Sequence, residues 1–271
     1  MLFTHRLKAG GPIVIDERTK QAAELATLEL NLFRLGGLSS PTADLAYEAK
    51  PRPSGLDFTF RLKGQEYSLS LPLFGTFQAE NMAVALGLAH VSGLHDLADR
   101  LSAIDTEALG VPGRMMPVAS HPKAPFGRVL VDYAHTPDAL ATVLQAAKPH
   151  CEGRLMVIFG AGGDRDPGKR PLMGQAAADY ADFSIVTDDN PRTEAPAPIR
   201  QAIMAAVPGA TEIADRREAI FAGLKAMKSQ DLLIIAGKGH EEGQIVGKEV
   251  LPFNDADVAK EAAAALWGQT S

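Results

Sequence analysis

The run Asp231-Leu232-Leu233-Ile234-Ile235-Ala236 is the most apolar segment of this 271-residue chain that the sequence pattern predicts as a strand. Apolar runs of this length, without alternating polar positions, are typical of strands that are buried on both faces of a sheet. Parallel sheets covered by helices on both sides bury their strands in this way. Residues 231–236 therefore predict a buried strand in an α/β domain.

The segments on either side of this run alternate between strand-like and helix-like patterns. Thr136 and Pro137 are residue types preferred at a helix N-cap and at the first helical position, so we expect a helix from there to Ala147. Strands that alternate with helices need crossover connections, which place the strands parallel. The other predicted elements are strands at 128–132, 154–159, 183–187 and 211–214, helices at 171–180, 199–207, 217–227 and 255–267, and an edge hairpin at 244–251 that turns at Gly247-Lys248.

The first part of the chain has a less regular pattern. Val111-Pro112-Gly113 is a candidate hinge between this part and the regular one, and the first part starts as if in the middle of a domain. The predicted elements before the hinge are a strand at 12–16, a helix at 24–35, antiparallel strands over 56–73 and a helix at 81–91.

The composition is that of an ordinary globular protein, with 46% hydrophobic and 22% charged residues. A formal net charge of −6 gives no electrostatic reason to expect nucleic acid or a membrane surface as a partner. Cys151 is the one cysteine, which excludes an internal disulfide framework and a multi-cysteine zinc site. The first residues lack the apolar region of a signal peptide, and no apolar stretch approaches the ~20 residues that span a bilayer. A cytoplasmic location is the simplest expectation.

Three glycine-rich or charged loops follow three of the predicted strands, at 160–171, 187–194 and 237–242. The carboxyl ends of parallel strands meet at one edge of a sheet, which is where open α/β domains bind ligands. Taken alone, the run Thr187-Asp188-Asp189-Asn190-Pro191-Arg192-Thr193-Glu194 favours a solvated acidic loop, but its two companions favour a shared site. Acidic and basic side chains held together suit a ligand that carries both positive and negative charge, such as an amino acid. A neutral ligand would not offset the free energy lost by desolvating so many charges.

The first of these loops contains a spacing that imitates a phosphate-binding loop. Residues 163–169 fit G-x-x-x-x-G-K, but Arg170 stands where such a loop needs a hydroxyl for magnesium. Asp164 and Asp166 would also repel phosphate. Arg165 and Arg170, near the start of the next helix, are better placed to hold a carboxylate with help from the helix dipole.

The segment Asp132-Tyr133-Ala134-His135-Thr136-Pro137 contains two candidate catalytic residues. Asp132 and His135 are suited to orienting a ribose or assisting at a reacting group, although a plain helix cap explains Asp132 and Thr136 almost as well. Arg114, beside the candidate hinge, either reaches a nucleotide or is a surface charge. His240 is predicted as an ordinary loop histidine because no other histidine lies at ligand spacing from it, and no residue is predicted to bind a metal.

Five strings together resemble the Mur ligases, and within that family the members that add meso-diaminopimelate. They follow one another in the family's order and spacing from about Val111 onward, whereas the first part matches less well, through Phe74-Gly75 and Asn81. The resemblance implies a Rossmann-like C-terminal domain with a mostly parallel sheet over 112–271, which binds the incoming amino acid. Before it, over 1–111, it implies an incomplete α/β central ligase domain. The five strings are Val111 to Met115, Asp132 to Pro137, Gly162 to Leu172, Thr187 to Glu194 and Gly237 to Glu241.

The resemblance also implies ATP and Mg²⁺ as cofactors, with both sites incomplete in this chain. The sequence contains no phosphate loop of the G-T-x-G-K-[ST] kind, and no lysine precedes Leu2-Phe3, where the family carries a carbamylated lysine for magnesium. Gln78 and Met116 replace the Asn and the Glu that are usual in the family, which weakens the match on the ATP side. The positions that match nucleotide contacts are Asn81, Arg114 and Asp132.

For the amino acid, the resemblance implies a site made from all three loops. Asp189-Asn190-Pro191-Arg192 matches the recognition motif for meso-diaminopimelate, and lysine-adding relatives lack the arginine. Arg192 would pair with the carboxylate at the distal centre of the ligand. Arg165 would bind a carboxylate and Glu241 an ammonium, and Gly237 matches a further contact.

The implied reaction belongs to peptidoglycan synthesis. ATP would phosphorylate the D-glutamyl γ-carboxylate of the UDP-N-acetylmuramoyl-dipeptide, and the amine of meso-diaminopimelate would attack the acyl phosphate. We expect this chain alone to bind diaminopimelate weakly and not to ligate. Two alternatives remain open, namely a relative that adds lysine or a glutamate, and a noncatalytic module that binds an amino acid.

Overall fold

The computed structural model describes residues 10–28, 30–94, 100–101, 109–121 and 128–268, so Leu2-Phe3 lies outside the described residues. Contacts divide the described residues into two compact units. Segments within Met1–Pro51, Gly55–Pro72 and Thr76–Leu109 form the first unit, and segments within Arg52–Ser54, Leu73–Gly75 and Gly110–Ser271 form the second.

The first unit is built on a five-stranded sheet in the order β1-β2-β3-β4-β5. Strands β1, β2 and β3 pair in parallel, and β4 and β5 form an antiparallel pair. Helix α2 packs against β1 and β2. The elements are β1 (Pro12–Asp16), α1 (Ala22–Ala26), β2 (Asn31–Gly37), β3 (Leu45–Arg52), β4 (Gly55–Leu62), β5 (Gln65–Leu71) and α2 (Phe77–Val91).

Two predictions for this unit were wrong or incomplete. The expected helix at 24–35 is a short helix that ends at Ala26, followed by strand β2. Strand β2 pairs with both β1 and β3 and buries Leu35 completely, so sheet pairing overrides the local helical pattern. Strand β3 was not predicted, whereas the strand at 12–16 and the antiparallel pair over 56–73 are confirmed.

The second unit contains a six-stranded sheet in the order β10-β9-β8-β11-β7-β6. The pairs are parallel except that β6 runs antiparallel to β7. Within the predicted strand at 231–236, residues 232–236 form β11, which lies between β8 and β7 with every residue at most 1% exposed. The strands are β6 (Met116–Ser120), β7 (Arg128–Asp132), β8 (Leu155–Phe159), β9 (Phe183–Val186), β10 (Thr211–Glu212) and β11 (Leu232–Ala236).

Helices cover both faces of this sheet. Helices α6 and α7 pack together on one face, over the alternate strand residues Val131, Ile158 and Ile235. On the other face α3 packs on β11, and α4 contacts both α3 and α5. The α/β class and the mostly parallel sheet are therefore confirmed. The helices are α3 (Pro137–Ala147), α4 (Lys169–Tyr180), α5 (Pro196–Met204), α6 (Arg216–Ala226) and α7 (Asp255–Trp267).

The predicted boundaries hold closely in the second unit. Thr136 caps α3 by accepting a hydrogen bond from the Ala139 N–H at 3.3 Å, as its residue type predicted. Helix α4 begins at Lys169, two residues before the predicted Pro171. Strands β12 (Gly243–Val246) and β13 (Glu249–Pro252) form the predicted hairpin, but as a separate two-stranded sheet rather than at the edge of the main one.

Cys151 follows a short 3₁₀ turn, Lys148–His150, that extends α3. Its thiol lies 3.3 Å from the carbonyl oxygen of Gly153, and burial raises the pKa of the thiol. None of the helices in the described part of the chain is long and apolar enough to cross a membrane.

Candidate functional site

The three predicted loops meet at the carboxyl ends of β8, β9 and β11 around a cavity of about 260 Å³. We refer to them as the β8–α4 loop (160–168), the β9–α5 loop (187–195) and the β11–β12 loop (237–242). Three other predicted site residues of this unit, Pro191, Asp132 and Arg114, do not line this cavity. The assignment of ligand contacts to particular lining residues stays a prediction. The predicted site residues that line it are His135, Arg165, Asp189, Asn190, Arg192, Gly237 and Glu241.

Reciprocal hydrogen bonds fasten the β8–α4 loop to the β9–α5 loop. Glu194 accepts bonds from the Asp164 N–H at 2.5 Å and from Arg170 Nη2 at 2.8 and 2.9 Å. In return, the Asp164 carboxylate accepts bonds from the hydroxyl and the N–H of Thr193, which lower its pKa. Arg170, predicted to hold a ligand carboxylate, is 6% exposed and paired with Glu194 instead. Sequence reasoning missed Thr193 and Glu194, whose partners lie about thirty residues away.

The glycines of the β8–α4 loop allow these two loops to approach closely. A Cβ atom on Gly163 would lie 1.9 Å from the carbonyl oxygen of Pro191, so no side chain fits there. The Gly163 N–H donates to the Asn190 carbonyl at 2.9 Å. The spacing that imitates a phosphate loop therefore reflects loop packing, which supports the rejection of that motif.

Two arginines lie side by side next to Gly162. A Cβ atom built on Gly162 would be 2.7 Å from Arg192 Nη1 and 3.8 Å from Arg165 Cγ. Arg192 Nη1 donates to the carbonyl of Gly163 at 2.8 Å, which fixes the guanidinium at the cavity wall. Two guanidinium groups at one wall create a positive end suited to carboxylates.

The opposite charge comes from Asp189 and Glu241. The Asp189 side chain is 7% exposed and lines the cavity, and its Oδ1 atom lies 3.6 Å from the Lys238 ammonium, in an ion pair but without a hydrogen bond among the described residues. A buried carboxylate oxygen that accepts no hydrogen bond can still accept one from a ligand ammonium. Gly237, with φ +122°, keeps the space beside this carboxylate open, since a Cβ atom there would lie 3.4 Å from Asp189 Oδ2.

Lys238 connects the β11–β12 loop to the β9–α5 loop. Its side chain is fully buried, and its ammonium donates to Asn190 Oδ1 at 2.9 Å and to Glu241 Oε2 at 3.1 Å. Asn190 Nδ2 also donates to Glu241 Oε2, at 3.0 Å. Burial alone would raise the pKa of Glu241, but the bonds from Asn190 and Lys238 outweigh it and lower that pKa. Apart from its position in a glycine-rich loop, nothing in the sequence distinguishes Lys238.

The end of β7 holds the remaining candidates of the second unit. Asp132 is 4% exposed, and its carboxylate accepts bonds from the N–H groups of Met115 and Ala134, each at 2.8 Å. Burial raises the pKa of Asp132, opposed by these two bonds and by Arg114. The Arg114 guanidinium lies over the Tyr133 ring, 4.7 Å from its centroid, and His135 Nδ1 lies 2.8 Å from the Tyr133 carbonyl oxygen.

Asn81 belongs to the first unit, on α2, where its Nδ2 donates to Gln78 Oε1 at 3.2 Å. Within the described residues, no group of three or more histidine, cysteine or acidic side chains is arranged to hold a metal ion.

A buried ion pair supports the strand that leads into the β11–β12 loop. Arg216, at the start of α6, bonds both carboxylate oxygens of Asp255 at 2.7 and 2.8 Å, and both side chains are 0% exposed. Arg216 Nη2 also donates to the Ala236 carbonyl at 2.9 Å. The Arg216 side chain therefore fixes the last residue of β11, directly before the β11–β12 loop.

Residues 113–239 match the family model described as Mur ligase, glutamate ligase domain. Relatives named UDP-N-acetylmuramoyl-L-alanyl-D-glutamate–2,6-diaminopimelate ligase include that of Brucella melitensis, 46% identical over 98% of this chain and 54% of the relative. That of Mesorhizobium japonicum is 50% identical over 96% of this chain and 54% of the relative. The chain belongs to the Mur ligase family.

Solved structures agree with this membership. A solved structure of a UDP-N-acetylmuramoyl-L-alanyl-D-glutamate–2,6-diaminopimelate ligase is 34% identical with a TM-score of 0.71, covering 96% of this chain and 54% of that one. A folylpolyglutamate synthase of Mycobacterium tuberculosis, complexed with ADP and AMPPCP, shares the fold at 19% identity and a TM-score of 0.60, covering 96% of this chain and 55% of that one. The chain spans about half the length of the curated Mur ligases it matches.

Proposed function

We propose that this chain supplies the amino-acid site of an ATP-dependent ligase that joins meso-diaminopimelate to UDP-N-acetylmuramoyl-L-alanyl-D-glutamate in peptidoglycan synthesis. The observation that carries the proposal is one cavity with Arg165 and Arg192 at one wall and Asp189 and Glu241 beside them. The relatives that match most of this chain are named for this reaction. Residues 112–271 are proposed as the amino-acid domain and 1–111 as part of the central domain.

The charges of the cavity suit a ligand with two carboxylates and two amines. Each arginine can bind one carboxylate, and Asp189, whose Oδ1 accepts no hydrogen bond among the described residues, can bind one ammonium together with Glu241. Lysine has no second carboxylate and would leave one guanidinium unpaired. A lysine-adding ligase is therefore the less favoured alternative.

In the proposed reaction, this chain holds the amine of the amino acid in position to attack the activated carboxylate. When bound, ATP supplies the phosphoryl group that activates the D-glutamyl γ-carboxylate as an acyl phosphate. If the distal ammonium and carboxylate are held by Glu241 and Arg192, the other amine is left to react, and its fixed orientation supplies much of the rate. His135 can take the proton that this amine loses, because an Nδ1–H bonded to the Tyr133 carbonyl leaves Nε2 as a base.

The proposal assigns nucleotide contacts to Arg114 and Asn81 and a positioning role to Asp132, whose carboxylate is bonded to two backbone amides. ATP and Mg²⁺ are proposed as cofactors of the whole ligase, but we assign no metal ligand and no metal-dependent step to the described residues. A cytoplasmic location is part of the proposal, in keeping with the single cysteine.

Calorimetry with meso-diaminopimelate and with lysine tests the proposal. The chain is expected to bind diaminopimelate more tightly than lysine, and Arg192→Ala should weaken diaminopimelate binding roughly 10- to 100-fold, the value of a charge-assisted hydrogen bond. Lysine binding should not change in this variant. Arg217→Ala, on the exposed part of α6, is the matched control and should bind as the unmodified chain does.

Equal affinities for the two ligands, or an Arg192→Ala variant that keeps its diaminopimelate affinity, would contradict the proposal. A product assay with ATP, the UDP-N-acetylmuramoyl-dipeptide and diaminopimelate tests whether the isolated chain ligates. We expect the isolated chain to form no product, and ATP-dependent product would refute that expectation.

A further inference from the structure

The hairpin β12–β13 pairs with the β9–α5 loop through its backbone. The Arg192 N–H donates to the Ile245 carbonyl at 3.0 Å, and the Gly247 N–H donates to the Arg192 carbonyl at 2.7 Å. Arg192 thus pairs with Val246 as a residue does in a parallel sheet. One residue of the loop is therefore paired, as in a sheet, with a strand that lies some fifty residues later in the chain.

Two further bonds reach the same loop from β12. Gln244 Nε2 donates to the Asp189 carbonyl at 2.7 Å, and the Ile245 N–H donates to Asn190 Oδ1 at 2.9 Å. Strand β12 therefore bonds three of the four residues in Asp189-Asn190-Pro191-Arg192. Since Asn190 also bonds Glu241, the two residues proposed to hold the distal centre of the ligand, Arg192 and Glu241, are both linked to the hairpin.

Arg192 needs this support because of its backbone conformation. Its φ of +53° lies in the left-handed region, which is unfavourable for a residue with a Cβ atom. Such conformations persist where the surrounding contacts fix them. Here the two hydrogen bonds to β12 hold the peptide groups on either side of the Arg192 Cα.

The hairpin is attached mainly through these bonds rather than by apolar packing. Val246, Val250 and Leu251 are 43%, 67% and 44% exposed. An element that buries so little apolar surface adds little to the core of the unit. Its contacts are concentrated on the loop that forms the cavity wall.

We propose that strand β12 is a positioning element for the second carboxylate of the ligand, with Gln244 as its positioning side chain. This inference rests on the proposed function, since it assigns Arg192 to that carboxylate. Gln244 does not touch the ligand but fixes the start of the segment that ends at Arg192. Loss of this bond should therefore reduce selectivity for a dicarboxylic diamine over lysine.

The test is calorimetry of Gln244→Leu and Gln244→Glu with meso-diaminopimelate and with lysine. Leucine removes the donor, and glutamate keeps the shape but cannot donate when ionised. Both variants should lose roughly 3- to 10-fold in diaminopimelate affinity, as expected for one hydrogen bond, and less than about 2-fold in lysine affinity. Lys248→Ala, in the exposed turn of the same hairpin, should change neither.

Hydrogen exchange supplies a readout that overall stability would not move. Diaminopimelate should slow exchange of the Arg192 and Gly247 amides in the unmodified chain, and less so in Gln244→Leu. Unchanged diaminopimelate affinity, or equal losses for both ligands, overturns the inference while the proposed function stands. If the unmodified chain binds neither ligand, the proposed function itself is overturned.

Discussion

The two units bury different kinds of side chain. In the described part of the first unit, Gln78 is the one buried polar residue, and the interior consists of apolar groups such as Leu35, Phe58 and Phe60. The second unit buries Asp189, Lys238 and the pair Arg216–Asp255. Burying ions costs free energy unless each one is paired, and a well-packed apolar core is often as stable.

The difference shows that the second unit buries charged groups, several of them around the cavity to which we assign ligand binding. The buried ions Asp189 and Lys238, and Arg216 with its bond to Ala236, lie at the carboxyl edge of the second sheet, around or beneath the cavity. We therefore expect charge-removing substitutions to be costly in the second unit and nearly neutral at exposed positions of either unit. Four predictions test this contrast.

Arg216→Met should have the largest effect. It leaves the Asp255 carboxylate buried and unpaired, which costs about 3–5 kcal/mol of unfolding free energy. Denaturant unfolding monitored by Trp267, which lies in the second unit on α7, measures the loss. Arg217→Met, which breaks an exposed pair with Glu261, should cost at most about 1 kcal/mol, and equal losses would refute the contrast.

Lys238→Met should follow, with a loss of about 1–3 kcal/mol. The substitution leaves Glu241 and Asp189 near each other without their shared ammonium, although both can still reach solvent through the cavity. The deficit should shrink as the pH falls through the folded-state pKa of Glu241, which lies below its ordinary value, and unfolding followed by Trp267 fluorescence across pH measures it. Lys248→Met is the matched exposed control, and a deficit that does not depend on pH would contradict the assigned role.

Glu241→Gln should change the pH dependence of stability. The pKa of Glu241 in the folded chain lies below its ordinary value of 4.5, so its carboxylate adds stability above that value. This contribution is lost as the pH falls through the folded-state pKa. Unfolding titrations should show the unmodified chain losing its advantage over Glu241→Gln below about pH 4.5, whereas the exposed Glu249→Gln should show no such convergence.

Lys50→Met, in the first unit, should have the smallest effect. Its ammonium lies 3.6 Å from Glu48, and the two side chains are 75% and 51% exposed. Exposed pairs contribute little, so we expect a change below about 0.5 kcal/mol. Hydrogen exchange of the β3–β5 amides measures it, and a loss comparable with that of Arg216→Met would remove the contrast between the units.

Much of the second unit was predictable because its pattern is local. The apolar run of β11 and the cap residues Thr136-Pro137 carry their structure in a few consecutive residues. The meeting of the three loops then follows from the parallel arrangement, which puts the carboxyl ends of the strands at one edge. The helix predicted at 24–35 failed because pairing with β1 and β3, not local pattern, decides the structure of β2.

The finer geometry of the site was not predictable from the sequence. Lys238 contacts Asn190, and Gln244 contacts Asp189, across separations of about fifty residues. Gly163 begins the spacing that imitates a phosphate-binding loop, but its closeness to the Pro191 carbonyl depends on how two loops pack. Residue type and spacing indicated which residues gather, whereas their pairing is a property of the folded chain.

The thiol of Cys151 has a practical use. Because burial raises its pKa, it stays protonated near neutral pH and reacts slowly with alkylating reagents. A cysteine introduced at Val250, on the exposed side of the hairpin, would take a fluorescent dye ahead of it, with no other cysteine to remove. The chain would then carry an optical label beside the loop that holds Arg192, with which the proposed binding of diaminopimelate can be followed.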